Sequence, residues 1–233
     1  MNGAVPDLTV TGLALAFVPA AIVIGIMYLW RAKATQATYA TLRMLVQLLL
    51  VGYVLVFIFE TNNWLVVAGV LSLMLVIASW IATRTLAART PQSYINALIA
   101  NLVGGVATLV FVTQAVIDIQ PWFNPRYVVP LAGMTIAGSM TAISLAAERY
   151  EAEVGHGVEA AEARRIAFGA CMIPMVNSLF AVGLVSLPGM MTGQILSGVS
   201  PLIAAQYQIV VMTMWFGATG ISAALFLTLQ KKD

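Results

Sequence analysis

The sequence predicts an all-α fold, a polytopic membrane bundle of about seven transmembrane helices. Three observations carry that expectation: a strongly apolar composition, charge-free stretches long enough to cross a bilayer, and a one-sided distribution of lysine and arginine. Of the 233 residues, 61% are hydrophobic and 9% charged, against roughly 45–50% and 25% in ordinary soluble domains. A small soluble domain buries only about 70% of its unfolded surface and covers the rest with polar groups, which this chain lacks. Lipid is therefore the expected solvent.

A helix needs about 20 apolar residues to cross a hydrocarbon core of about 30 Å. Leu8 to Trp30 is the first such run, with a kink expected at Pro19. The N-terminal MNGAVPD lacks the basic stretch of a signal peptide, so this run is counted as a span rather than a leader. The second span, Arg43 to Phe59, is short unless it reaches back into Thr38 to Leu42. Trp64 to Thr83 is the third, with Trp64 at one interface and Trp80 near the other. Ser93 to Ile117 and Tyr127 to Ala147, separated by the turn DIQPWFNPR, are the fourth and fifth. No charge falls between Arg165 and Lys231, leaving room for two further spans or three.

The positive-inside rule chooses between those counts. With seven crossings and the N-terminus outside, Arg31, Lys33, Arg43, Arg84, Arg89, Arg149, Arg164, Arg165, Lys231 and Lys232 are all cytoplasmic, and only Arg126 is external. An eighth crossing would export the last two lysines. The surplus at residues 188–205 is then a broken or re-entrant outer segment, and its Gly and Pro punctuation fits one. Non-helical backbone at membrane depth needs protein or water around it, so this segment is expected in the pathway. The whole chain, 1–233, reads as one transmembrane domain.

The one strongly polar stretch, residues 148–165, separates spans five and six. Glu148, Arg149, Glu151, Glu153, Glu159, Glu162, Arg164 and Arg165 flank Gly155-His156-Gly157 in Ala- and Glu-rich halves. This is a helical elbow on the cytoplasmic face. It is either a solvated connector or a docking surface for a cytoplasmic partner.

Ionisable groups inside a bilayer are costly and usually functional, so their scarcity excludes several chemistries. Only Arg43 and Glu60, at the two expected ends of span two, touch a span. No lysine in the last span could hold retinal, the lone His156 lies in the elbow, and Asp7, Asp118 and Asp233 lie outside the spans. Rhodopsin-like, serine-protease and aspartyl-protease readings therefore fail. A net charge of +2 without a basic block excludes nucleic acid as a partner. A single cysteine excludes an internal disulfide.

Neutral polar residues remain within the spans: Gln47, Asn96, Asn101, Gln114, Asn177, Ser178, Gln194, Gln206 and Gln208. They either bond neighbouring helices or line a polar path, and Arg43 shares a helical face with Gln47, four residues on. Gly104, Gly105, Gly133, Ala137, Gly138, Gly217 and Gly220 read as close-packing positions. Met172, Met175, Met190 and Met191 gather around span six. Thioethers suit soft metals, but methionine also fills apolar gaps, and no ligand set for a metal is identifiable. Cys171 reads as a small buried hydrophobe.

The segment GLVSLPGMMTGQILSGVSPLIAAQYQIVVM, residues 183–212, resembles the FetB family, the membrane permease of a bacterial ABC transporter assigned to iron export, whose plant relatives are linked to aluminium tolerance. The likeness extends to Ile173-Pro174-Met175-Val176-Asn177-Ser178 and to Arg43-Met44-Leu45-Val46-Gln47-Leu48 with Gly52. The chain departs from the family in the elbow. There the family carries a segment close to Leu-Ala-Leu-Gly-Ala-Thr-Pro before Glu-Ala, whereas this chain has Glu153-Val154-Gly155-His156-Gly157-Val158-Glu159-Ala160.

The resemblance implies a permease without catalytic residues or a cofactor of its own, in the bacterial cytoplasmic (inner) membrane. It pairs as a homodimer with two ABC ATPase subunits that hold ATP and Mg, because this chain has no phosphate-binding Gly-rich loop. The elbow then couples to the ATPase. Arg43, Gln47, Asn101, Asn177, Ser178, Pro188, Gly189, Met190, Met191, Thr192 and Gln194 are the expected translocation pathway, with the Pro188 to Gly198 segment moving as outer gate. Three functions follow from these readings: export of iron or a related metal ion, ABC-driven movement of a small organic or chelated cargo, and recruitment of a cytoplasmic partner without transport.

Overall fold

A computed structural model describes residues 9–87 and 89–230. Leu8, Asp7, Lys231, Lys232 and Asp233, which entered the span and charge arguments, lie outside the described residues. The chain divides into two units, Met1–Glu60 and Thr61–Asp233. The described residues are overwhelmingly α-helical, and the only β-type pairing among them is an isolated bridge between Val182 and Ser186.

In the first unit, α1 (Val10–Leu15) and α2 (Val18–Leu29) share the first apolar run. Thr9 caps α1 by accepting from the Gly12 N–H at 3.1 Å. The kink expected at Pro19 takes the form of a break just before it. Pro19 sits in the first turn of α2, where its missing N–H costs nothing.

The helix α3 (Ala34–Glu60) is longer than the sequence predicted. In its polar start the Thr38 and Thr41 hydroxyls donate back to the Ala34 and Ala37 carbonyls, at 3.0 and 2.9 Å, so both side chains are satisfied within the helix. Arg43 is consequently not at the helix end but well inside it, whereas Glu60 is the last residue. Leu48, Leu49, Leu50, Tyr53 and Phe57 of α3 are all exposed, a surface suited to lipid rather than water.

The second unit is built around α7 (Pro125–Gly155). Packed against it are α4 (Trp64–Ala82), the span-four helix, α8 (Ala160–Ala181) and α10 (Pro201–Leu229). Span four runs as α5 (Pro91–Ala100), a π-helical stretch Asn101–Ala107, α6 (Thr108–Phe111) and a second π-helical stretch Val112–Val116.

Small side chains let these axes approach, as expected where lipid supplies no hydrophobic drive between helices. A Cβ on Gly104 would stand 2.8 Å from the Ser222 Cα, and Gly105 lies over Ile136 and Ser139. Ala142, Ala146, Ala167 and Ala223 gather with Cys171, Met172, Met175 and Met212 in one buried cluster. Ala82, Ala97, Ala100 and Ala147 surround Phe226 in another.

Buried polar groups join the helices crosswise. The Ser139 and Ser144 hydroxyls donate to the Ala218 and Ala82 carbonyls at 3.1 and 3.0 Å. Asn96 Nδ2 donates to the Leu229 carbonyl at 3.0 Å, and Asn101 Nδ2 donates to Ser79 Oγ at 3.1 Å.

Two ends of this unit are chemically distinct. At one, Trp64 and Trp122 pack with ring centroids 6.3 Å apart, beside the start of α7 at Arg126. At the other, the Arg89 guanidinium lies 5.8 Å from the Trp80 ring centroid and Thr85 Oγ1 donates to the Ser144 carbonyl. Arg84, Arg149, Arg164 and Arg165 belong to that second end.

Six helical stretches are long and apolar enough to cross a membrane: Val10–Leu29, Ala34–Glu60, Trp64–Thr85, Pro91–Val116, Pro125–Gly155 and Pro201–Leu229. Of the seven predicted crossings, the sixth is the one missing from that set. It corresponds to α8, whose 22 residues include Glu162, Arg164, Arg165, Pro174 and Asn177. Yet α8 spans roughly 33 Å at 1.5 Å per residue and packs against α7 and α10.

Candidate functional site

The residues that open a cleft between α7, α8 and α10 are of two kinds. Gly133, Ala137 and Gly138 give α7 a face with almost no side chain. Pro130 and Pro174 stand inside helices, and neither ring can donate to the carbonyl four residues back, Arg126 and Ala170 respectively. The result is a chamber of about 490 Å³, lined from α8 by Cys171, Met175 and Ser178 and from α10 by Trp215 and Thr219. Exposed Ala137, Thr141 and Pro174 stand at its mouth.

A second chamber of about 320 Å³ adjoins it, sharing Met134, Ser178 and Trp215. Its other walls are Gln208, Val211 and Met212 of α10 and the chain from Val182 to Met190. Met190 belongs to the first turn of α9 (Gly189–Leu196), and α9 packs on α10. Eight residues make roughly 12 Å of helix, too short to cross a bilayer. The predicted broken segment at 188–205 is thus a short helix, a turn that carries Gly198 at φ +92°, and the first residues of α10.

The polar atoms at these chambers are few and several have no partner. Ser178 Oγ donates to the Pro174 carbonyl at 2.9 Å. Trp215 Nε1, Thr219 Oγ1 and Gln208 Oε1 are buried without a hydrogen bond, and leaving such groups unpaired in a closed core costs about 1–3 kcal/mol each. The Trp215 indole lies across Gly138, where any Cβ would overlap Nε1. Among the described residues, no aspartate, glutamate or histidine lines either chamber. Among the described residues no group of three or more His, Cys, Asp or Glu could hold a metal ion.

The elbow is not a separate helix pair. It is the continuation of α7 and α8, joined by a turn at His156–Glu159 with Gly157 at φ +82°. Arg149 pairs with Glu153 at 2.6 Å and Arg165 forms a two-pronged contact with Glu162, the Nε to Oε2 arm at 2.8 Å. That guanidinium holds the Glu162 carboxyl below its ordinary value and is itself raised by it. Glu151 accepts from the Ala87 N–H at 3.0 Å, and Arg164 donates to the Gln230 carbonyl at 3.4 Å. Glu148, Glu159 and Arg165 face outward, while Glu151, Glu153 and Arg164 are half-buried.

A family model matches residues 10–233, nearly the whole chain, and its description is the uncharacterised protein family UPF0014. The chain belongs to this family. Among its UPF0014 relatives, the membrane protein slr1647 of Synechocystis is 38% identical over 195 residues, covering 76% of this chain and 74% of the relative. The protein ALUMINUM SENSITIVE 3 of Arabidopsis thaliana is 32% identical over 206 residues, 81% of this chain and 73% of its own. The probable iron export permease protein FetB of Escherichia coli is 32% identical over 212 residues, 81% and 78% of the two chains. The resemblance to FetB read from residues 183–212 is therefore borne out. No solved structure matches this chain.

Against this UPF0014 fold, the predicted pathway residues divide. Ser178, Pro188, Gly189 and Met190 line the second chamber, and Ser178 lines both. Met191, Thr192 and Gln194 stand on α9 behind it, with Thr192 Oγ1 donating to the Pro188 carbonyl at 3.1 Å and Gln194 Oε1 buried without a partner. Asn177 is exposed on α8. Asn101 is fully buried against Ser79, and neither it nor Asn177 is among the lining residues. Arg43 and Gln47 belong to α3 in the first unit.

Sequence reasoning did not single out Met134, Met212, Trp215 or Thr219. Their signal is weak: Gln208, Met212, Trp215 and Thr219 recur at helical spacing on α10, a pattern that an ordinary buried stripe shares.

Proposed function

We propose that this chain is the membrane-spanning permease subunit of an ATP-driven ABC transporter that exports iron or a related metal ion from the cytoplasm. The observation that carries the proposal is the continuity of α7 and α8. Each runs unbroken from the charged elbow to the walls of both chambers. A push on the elbow is therefore transmitted along two stiff rods to the place where cargo would lie. The permease and iron-export roles belong by name to the FetB relative, and extend to this chain as part of the proposal.

In this reading α8 is a crossing, giving seven, and the arginine-rich elbow end faces the cytoplasm by the positive-inside rule. Two copies assemble with two ATPase subunits that carry ATP and Mg. The exposed Glu148, Glu159 and Arg165 meet the ATPase, and a second copy closes the half-open mouth at Ala137, Thr141 and Pro174. ATP-driven closure biases a bistable bundle, and the α9 segment opens on the far side. The protein then resides in the bacterial cytoplasmic (inner) membrane.

The volume of the larger chamber favours a second reading of the cargo. About 490 Å³ lies within the range of roughly 300–1,000 Å³ typical of small-molecule pockets, which suits a small organic or chelated species. Reconstitution with an ABC ATPase in vesicles tests both. ATP-dependent flux of iron supports the first reading. Hydrolysis with flux only of a chelate or organic compound favours the second, and failure to associate with any ATPase overturns both in favour of a non-transporting recruiter.

A further inference from the structure

The smaller chamber has an unusual set of donors. Met134 of α7, Met212 of α10 and Met190 in the first turn of α9 all line it, so three thioether-bearing residues from three elements border one space of about 320 Å³. Gln208 lies one helical turn from Met212 on the same face of α10, is only 6% exposed, and its Oε1 has no partner. Met212 also packs in the buried cluster with Cys171 and Met172, as a gap-filling methionine does, but all three methionines border the chamber. A buried acceptor without a donor is the second sign of a missing ligand.

The chemistry of the set selects the ligand. A hard cation takes six or more oxygens, mostly carboxylate, and the described residues lining this chamber include no carboxylate. Soft thioether sulfur favours soft, low-valent metals. Because the surrounding ligands are neutral, the desolvation cost falls on the ion's own charge and rises steeply with it, which favours a monovalent over a divalent or trivalent ion.

We propose that the smaller chamber binds a soft monovalent metal ion, Cu(I) or its analogue Ag(I), through the sulfurs of Met134, Met190 and Met212 with Gln208 Oε1 as an oxygen donor. The site goes beyond the iron-export reading, resting on it only for its place in the same cleft, and the binding itself is independent of ATP.

The test uses the full chain in detergent, with Cu(I) kept reduced by ascorbate and competed by bicinchoninate. One Cu(I) is expected per chain, displaced by Ag(I) and not by Mg(II) or Al(III). The triple variant Met134→Leu, Met190→Leu, Met212→Leu, which nearly conserves volume, loses affinity by roughly tenfold or more. Met27→Leu with Met44→Leu, in the first unit, changes nothing. If the triple variant does not fold, Gln208→Leu and Met212→Leu singly each lower affinity several-fold at an unaltered melting temperature. Absence of Cu(I) retention, or equal affinity in wild type and these variants, overturns the site. Cu(I) binding without ATP-driven flux overturns the permease reading and leaves the site standing; iron flux without Cu(I) binding does the reverse.

Discussion

The Trp215 indole crosses α7 at Gly138, so close that a methyl group there would overlap the ring nitrogen. Trp215 is also one of the residues common to both chambers. Gly138→Ala therefore drives the indole toward the cleft, and overpacking of this kind costs about 1–3 kcal/mol. A lowered melting temperature and reduced flux are expected, with Trp215→Phe in the same chain restoring part of both. Unchanged melting in Gly138→Ala would show that the ring has room elsewhere.

Gly104 and Gly105 separate two kinds of glycine. A Cβ on Gly104 meets the backbone of Ser222, which cannot rotate away, whereas one on Gly105 finds Ser139 Oγ at an ordinary 3.5 Å. Gly104→Ala should destabilise by about 1–3 kcal/mol. Gly105→Ala should be neutral or stabilising by up to about 1 kcal/mol from helix propensity. Thermal unfolding of the two variants in the same detergent measures the difference.

In the elbow, exposed and engaged acids should behave differently. Reversing Glu148 and Glu159 to Arg weakens association with an ABC ATPase by roughly tenfold without lowering the melting temperature. Glu151→Ala removes the acceptor of the Ala87 N–H and costs about 1 kcal/mol of stability, with little effect on association. Co-purification titrations beside melting curves give both readouts, and the opposite pattern would move the docking surface.

The Glu162–Arg165 pair has a pH signature of definite sign. Its hydrogen bond holds the folded carboxyl below the ordinary value of 4.5. The pair's contribution is therefore full above that value and is lost as pH falls through the lowered folded value. Melting temperatures of wild type and Glu162→Gln should differ slightly at neutral pH and converge in acid. The difference is small because both groups are solvated.

Composition and the spacing of charges carried most of the fold, because a bilayer demands apolar stretches of fixed length. What they missed has physical causes. α3 reaches back to Ala34 through a start whose threonine hydroxyls bond within their own helix, a pairing that hydropathy cannot register. The two π-helical stretches of span four leave no mark on hydropathy, and only the first contains the closely packed Gly104 and Gly105. The elbow's charges were plain in the sequence, but which of them face outward depends on Ala87, 64 residues away from Glu151. At the cleft, Ser178 stood out as a polar residue in an apolar span and the Pro188 to Met190 segment as Gly and Pro punctuation. Met134 and Trp215 did not, since a methionine or tryptophan in an apolar helix resembles any core residue until its neighbours are known.

Cys171 is the only cysteine in the chain and it lines the larger chamber, so the chamber's place in the pathway can be tested directly. ATP-dependent metal flux is measured in vesicles holding this chain and a cysteine-free ABC ATPase, before and after a small methanethiosulfonate reagent. Mass spectrometry confirms the label on Cys171. The account predicts that labelling stops flux in the wild-type chain, while the Cys171→Ala chain keeps whatever flux it had before treatment. Undiminished flux through a fully labelled wild-type chain would contradict it.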